Sequence, residues 1–131
     1  MTADNAIKQS FQIIPKNLGV VLLDVKSNKF TQEMNLEEVR KAHFDLLKKS
    51  AQDLFEKHDE LSLERKFQKI FFKKEDAQTF NEIIFYVDEL LYFLTKLPEN
   101  PDYVFGVVCS AEANVGLVKL KTQELVRQIM L

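Results

Sequence analysis

The chain has 131 residues, 46% of them hydrophobic, with 18 Lys or Arg against 20 Asp or Glu for a net charge of −2. That length buries one core and is too short for two ordinary domains, and so small a net charge supplies no global field to recruit nucleic acid or an anionic membrane. The one cysteine, Cys109, excludes an intrachain disulfide framework and points to a reducing, cytoplasmic setting; no basic leader is expected, and no apolar run is long enough to span a bilayer.

Asp4 or Asn5 is expected to cap a short first helix with Ile7, Phe11 and Ile14 on one side, and Pro15 forces Ile14 out of helical geometry. Residues 18–25 (LGVVLLDV) have a buried-strand pattern, and the polar turn Lys26-Ser27-Asn28-Lys29 leads to a short second strand near residues 30–32, which predicts a hairpin. Asn35 followed by Glu38 makes a capping box for a long second helix from Leu36 to about Lys57. Projected at about 100° per residue, Leu36, Val39, His43, Phe44, Leu46, Leu47, Ser50, Ala51, Leu54 and Phe55 cover roughly half its circumference, wider than the stripe of a helix with one neighbour. Such a helix needs two partners: its own sheet, and either another chain or another part of this one.

Residues 59–77 are rich in Phe and Lys. Leu63, Phe67, Ile70 and Phe71 recur at helical spacing with Arg65, Lys66, Lys69 and Lys73 on the far side, so a third, amphipathic helix is expected; a strand over residues 68–72 is the alternative. Residues 80–87 and 90–96 read as two strands about a tight turn at Asp88-Glu89, and the loop LPENPD carries the chain into a strand at Tyr103. Residues 103–108 are mostly β-branched or aromatic without alternation, as a central strand covered on both faces requires. Ser110 is expected to cap a last helix from about Ala111, with Val115, Val118, Thr122, Leu125, Val126 and Ile129 on its core stripe and Gly116 letting its backbone approach the sheet.

Catalytic constellations are absent from this pattern. His43 and His58 are too far apart on the second helix for one metal site, and no cysteine pair accompanies them. Gly19, Gly106 and Gly116 are isolated, which excludes a phosphate loop or a dinucleotide fingerprint. Asp24, Asp88 and Glu89 sit in turn-like contexts and read as turn residues rather than general bases, and Ser50 has no histidine at a usable spacing. Neither enzymatic activity nor a cofactor is expected. The basic face of residues 62–76 reads as a solvated surface; its functional alternatives are an anionic lipid surface, giving peripheral membrane contact, or an acidic patch on a partner. Nucleic acid is not expected, because single-strand readers display aromatics on a sheet platform.

The element order is helix, strand, strand, long helix, extra helix, three strands, helix, and its closing block YVFGVVCSAEANVGLVKL contains Ala113-Asn114-Val115-Gly116-Leu117. That step from last strand to last helix resembles the one in the roadblock/dynein-light-chain superfamily, with Asn114, Gly116 and Leu117 as its structural signature. Ile14-Pro15 before GVVLLD and the hairpin FNEIIFYVDELLYFLTK are similar to the same family. Two departures stand out: the turn at residues 26–29 has no glycine, and residues 59–77 look like an insertion.

The resemblance implies a single α/β (α+β) domain over residues 1–131, a sandwich with a central five-stranded, mostly antiparallel sheet and helices on both faces. It implies a homodimer, or a dimer with a homologous subunit, in which the long helices lie together and the third strands join into one sheet. The implied role is a non-catalytic regulator or scaffold for a small Ras-like GTPase or a signalling or motor assembly. The residues expected at the dimer or partner face are Arg40, His43, Phe44, Leu47, Ala51 and Phe55, with Arg65, Lys66, Lys69 and Lys73 as a charged partner patch. Two other readings compete: a sensor-like domain with an apolar ligand pocket lined from residues 80–108, and a membrane-surface module using residues 62–76.

Overall fold

The computed structural model describes residues 1–36, 39–55 (Leu54 by its backbone alone) and 81–131. Its elements are α1 (Ala3–Ile13), β1 (Asn17–Asp24), β2 (Lys29–Asn35), α2 (Lys41–Phe55), β3 (Glu82–Val87), β4 (Leu90–Leu97), β5 (Asn100–Ser110) and α3 (Val115–Val126). The strands form one five-stranded sheet in the order β2-β1-β5-β4-β3, antiparallel at every step. The expected five-stranded sheet flanked by helices is therefore the observed one. The expected extra helix, its strand alternative, the insertion at 59–77 and the patch Arg65, Lys66, Lys69 and Lys73 lie outside the described residues.

Side chains alternate across the sheet and build two cores. Val20, Leu22, Phe93, Phe105 and Val107 face α1 and α3, meeting Ile7, Ile14, Val118 and Leu125. Val21, Leu23, Tyr92, Leu94 and Val108 face α2, meeting Phe44, Leu47, Ala51 and Phe55. Burial on both faces is why β1, β4 and β5 are continuously apolar in sequence.

Several local expectations are corrected. The first helix is capped by Thr2, whose hydroxyl accepts from the Asn5 amide at 3.2 Å, while Asp4 pairs with Lys8 one turn on. The second strand runs on to Asn35, which lies opposite Gly19 and so cannot cap a helix; α2 starts at Lys41. The loop LPENPD is a tight turn: Leu97 faces Asn100, and residues 100–102 already belong to β5. Pro101 fits there because the β4–β5 register shifts between Lys96 and Leu97, leaving an irregular stretch that demands no ladder N–H from proline.

The last helix is capped by Asn114, not Ser110. Asn114 Oδ1 accepts from the Leu117 amide at 3.0 Å, whereas Ser110 Oγ serves the Glu112 amide in the preceding turn. Val118, Thr122, Leu125 and Val126 are buried as expected and Ile129 packs at the core's margin, but Val115, on the first turn, is exposed. Gly116 is not a point of close approach either, since a Cβ there would meet only the Asn114 side chain. Gly19 and Gly106 have that role, and both lie under α2: a Cβ on Gly19 would stand 3.1 Å from Phe44 Cδ1, and one on Gly106 would stand 3.1 Å from Leu47 Cδ1.

Candidate functional site

Seating α2 on those two glycines decides which of its residues are free. Phe44, Leu47, Ala51 and Phe55 all pack into the core between α2 and the sheet. Their expected place at a dimer or partner face is corrected accordingly, because their apolar surface is already covered by the chain's own strands. Among the described side chains of α2, the exposed ones are Lys41, Ala42, Asp45, Lys49 and Asp53.

The structure does bring Arg40 and His43 together, at the start of α2. With Asp88, Glu89 and Leu90 of the β3–β4 turn they line an open depression of about 570 Å³. His43 Nε2 lies 3.5 Å from Asp88 Oδ2, and its Nδ1 lies 3.3 Å from the Tyr92 hydroxyl. That hydroxyl also donates to the His43 carbonyl oxygen at 3.4 Å. Burial, with the Asp88 carboxylate adding to it, pushes the Tyr92 hydroxyl above its ordinary range, so it is a hydrogen-bonding strut rather than an acid. The cluster ties α2 to the hairpin that carries β3. Among the described residues, no group of three His, Cys, Asp or Glu side chains could hold a metal ion.

Within residues 80–108, from which an apolar ligand pocket was expected to be lined, Tyr92, Phe93, Leu94 and Phe105 have no solvent exposure and fill the two cores. The two outer strands of the described sheet differ in character. On β2 the sequence KFTQEMN is mostly polar and its pairing to β1 slips between Leu22 and Leu23. Glu33 of that strand accepts an ion pair from Lys48 at 2.9 Å, and Lys48 Nζ also sits 4.7 Å from the Phe30 ring centroid. Charges, polarity and a register slip are what protect an edge from pairing.

Among the described residues, β3 lacks most of these protections. Its sequence EIIFYV pairs with β4 without a slip, and among the described residues no strand lies on its outer side. Ile84 and Tyr86 are 38% and 54% exposed on the α3 face of the sheet. Ile83, Phe85 and Val87 are only partly buried on the α2 face, where Phe85 stacks on Tyr92 at 4.9 Å. The strand's one charge, Glu82, turns away to α3: Oε1 pairs with Lys119 at 2.7 Å and Oε2 accepts from Gln123 at 2.8 Å. Ile84, Tyr86 and Glu82 were not singled out by the sequence pattern, which marks them as strand but carries no sign that the strand is outermost. Of the signature residues, Asn114 caps α3, while Gly116 and Leu117 lie exposed on its first turn.

The sequence matches no protein-family model and no curated protein. Solved structures do resemble this chain. The roadblock/LC7 domain from Streptomyces avermitilis superposes with a TM-score of 0.70 at 17% identity, covering 97% of this chain and 93% of that one. MglC from Myxococcus xanthus gives 0.63 at 10% identity over 96% and 94%, and the gliding protein MglB from Thermus thermophilus gives 0.63 at 14% over 95% and 83%. Element order, strand order and these superpositions agree: the chain has the roadblock/LC7 fold.

Proposed function

We propose that this protein is a non-catalytic pairing module that acts in the cytoplasm, dimerises through β3, and serves as a regulator or scaffold for a small Ras-like GTPase or for a signalling or motor assembly. The observation that carries the reading is the apolar edge of β3, outermost among the described strands, in contrast to a β2 edge that is polar and irregular. A strand of this composition loses apolar exposure and gains backbone hydrogen bonds when another strand joins it. The partner subunit is a second copy or a homologous chain, and α2 with Arg40 and His43 flanks the joined surface. No cofactor and no nucleic acid enter this reading. Any nucleotide belongs to the partner GTPase, since Gly19 and Gly106 are engaged under α2 rather than arranged around a phosphate. Among the described residues no helix is long and apolar enough to cross a membrane.

The test is binding of a purified Ras-like GTPase from the same source, measured by calorimetry, together with its hydrolysis rate. Saturable binding with an altered rate supports regulation, and binding with an unchanged rate supports scaffolding. Absence of both removes the GTPase from the account.

A further inference from the structure

We infer that the cleft between the last turn of α3 and the β4–β5 turn binds a carboxylate with a small apolar group and an N–H donor beside it. An N-acylated amino acid and the C-terminus of a peptide share that chemistry. The site lies on the α3 face of the sheet and does not require β3 to be paired.

The cleft has a volume of about 320 Å³, within the range of small-molecule sites. Its apolar walls are stiff. Leu97 and Val126, almost fully buried, line it together with Pro98 and Pro101, and a proline ring holds its backbone φ near about −65° with or without a ligand. Fixed walls lose little freedom on binding.

The polar groups of the cleft differ in what they already bond. Glu82 has both carboxylate oxygens engaged, Oε1 by Lys119 at 2.7 Å and Oε2 by the Gln123 side-chain amide at 2.8 Å, so its charge is neutralised. Because the Gln123 nitrogen is turned to Glu82, its Oε1 is the end that remains to accept a hydrogen bond. The Thr95 hydroxyl has one hydrogen and two backbone carbonyls at 3.3 Å, those of Asn81 and Lys96, so it too meets a ligand as an acceptor. Lys96 is not the cation here: its ammonium lies 5.8 Å from the Phe55 ring centroid, on the α2 side of the sheet.

Arg127 is the cation. Its backbone N–H closes α3 by donating to the Gln123 and Leu125 carbonyls, which fixes where the side chain starts, and among the described residues its exposed guanidinium has no ion pair. A planar fork of N–H donors suits a carboxylate, which it can hold by two bonds at once. The carbonyls that end α3 do not oppose that anion strongly, because the amides of Arg127, Gln128 and Ile129 already cover them. One cationic fork, two acceptors and an apolar wall therefore share one cleft. The carboxylate goes to Arg127, the ligand N–H to Gln123 or Thr95, and the apolar group to Leu97 and Pro101. A phosphate fits less well, since Arg127 alone would face its second charge.

Amide NMR spectra of the whole chain titrated with N-acetylleucine test the site. Saturable shifts at Thr95, Leu97, Gln123 and Arg127 are expected, with the millimolar dissociation constant of a small ligand held by one exposed arginine. N-acetylleucinamide, which lacks the charge, should bind about fivefold more weakly, and 4-methylpentanoate, which lacks the N–H, about threefold. Arg127→Gln should weaken N-acetylleucine binding about fivefold and still fold, because its side chain is exposed and its capping N–H is kept. A hexapeptide ending in a free leucine separates the two sources: tighter binding than N-acetylleucine points to a peptide C-terminus, and equal or weaker binding to a small metabolite. Equal affinity for the acid and its amide, or unchanged binding by Arg127→Gln, overturns the inference. So does the absence of these shifts at tens of millimolar.

Discussion

Leu47 rests on the bare backbone of Gly106: a Cβ added to that glycine would lie 3.1 Å from Leu47 Cδ1, 3.1 Å from Val21 Cγ2 and 2.6 Å from Leu94 Cδ2. All three neighbours are fully buried, so none can swing into solvent. Gly106→Ala should lower stability by about 1–3 kcal/mol, the range for overpacking a filled core. Gly116→Ala, on the exposed first turn of α3, should lower it less, since its Cβ would meet only the Asn114 side chain. Urea unfolding of the two variants side by side checks the contrast.

Leu47 and Phe55 are core residues rather than partner contacts, which makes a further prediction. Leu47→Ala should cost about 2–5 kcal/mol and Leu47→Asp should abolish folding, both seen by circular dichroism. A well-folded Leu47→Asp protein would mean that α2 does not pack as described.

Asn114 holds the start of α3 through a single side-chain bond to the Leu117 amide. Asn114→Ala should cost about 1 kcal/mol, and Asn114→Asp, which keeps the acceptor, should restore most of it. Thermal unfolding distinguishes the two.

Cys109 gives the protein a pH signature. Its thiol is pushed up to about 12 by burial, whereas an unfolded thiol titrates near 8.5. Between those values the unfolded chain has lost the proton and the folded chain keeps it, so stability is full below about pH 8.5 and falls as pH rises. The slope approaches about 1.4 kcal/mol per pH unit from this group. Burial also raises the hydroxyls of Tyr92 and Tyr103, which act in the same direction at still higher pH. Cys109→Ala should flatten the fall between roughly pH 8.5 and 9.5, where unfolded tyrosines, which titrate near 10, are still largely protonated.

Much of the fold was legible because its signals are local. The apolar runs of β1, β4 and β5, the stop at Ile14-Pro15, the turn at Asp88-Glu89 and the stripe Val118, Thr122, Leu125 all stand where the pattern put them. β2 was cut short because an exposed edge strand needs no apolar run, and KFTQEMN has none. The candidate site was harder to read. The wide apolar surface of α2 suggested a second partner beside the sheet; in the structure Phe44, Leu47, Ser50, Ala51 and Phe55 are all buried within the single chain, with Phe44 and Leu47 close over Gly19 and Gly106. Which strand ends a sheet depends on contacts between residues far apart in sequence, and EIIFYV alone does not reveal that Ile84 and Tyr86 face outward at an edge.

The most direct test of pairing through β3 is sedimentation of the wild type beside Ile84→Lys. Ile84 is 38% exposed in the single chain, so the lysine should fold normally, while a charge on the strand opposes pairing with another strand. The account predicts a wild-type dimer and a folded Ile84→Lys monomer. A wild type that stays monomeric as concentration rises, or an Ile84→Lys dimer as tight as the wild type, would contradict it.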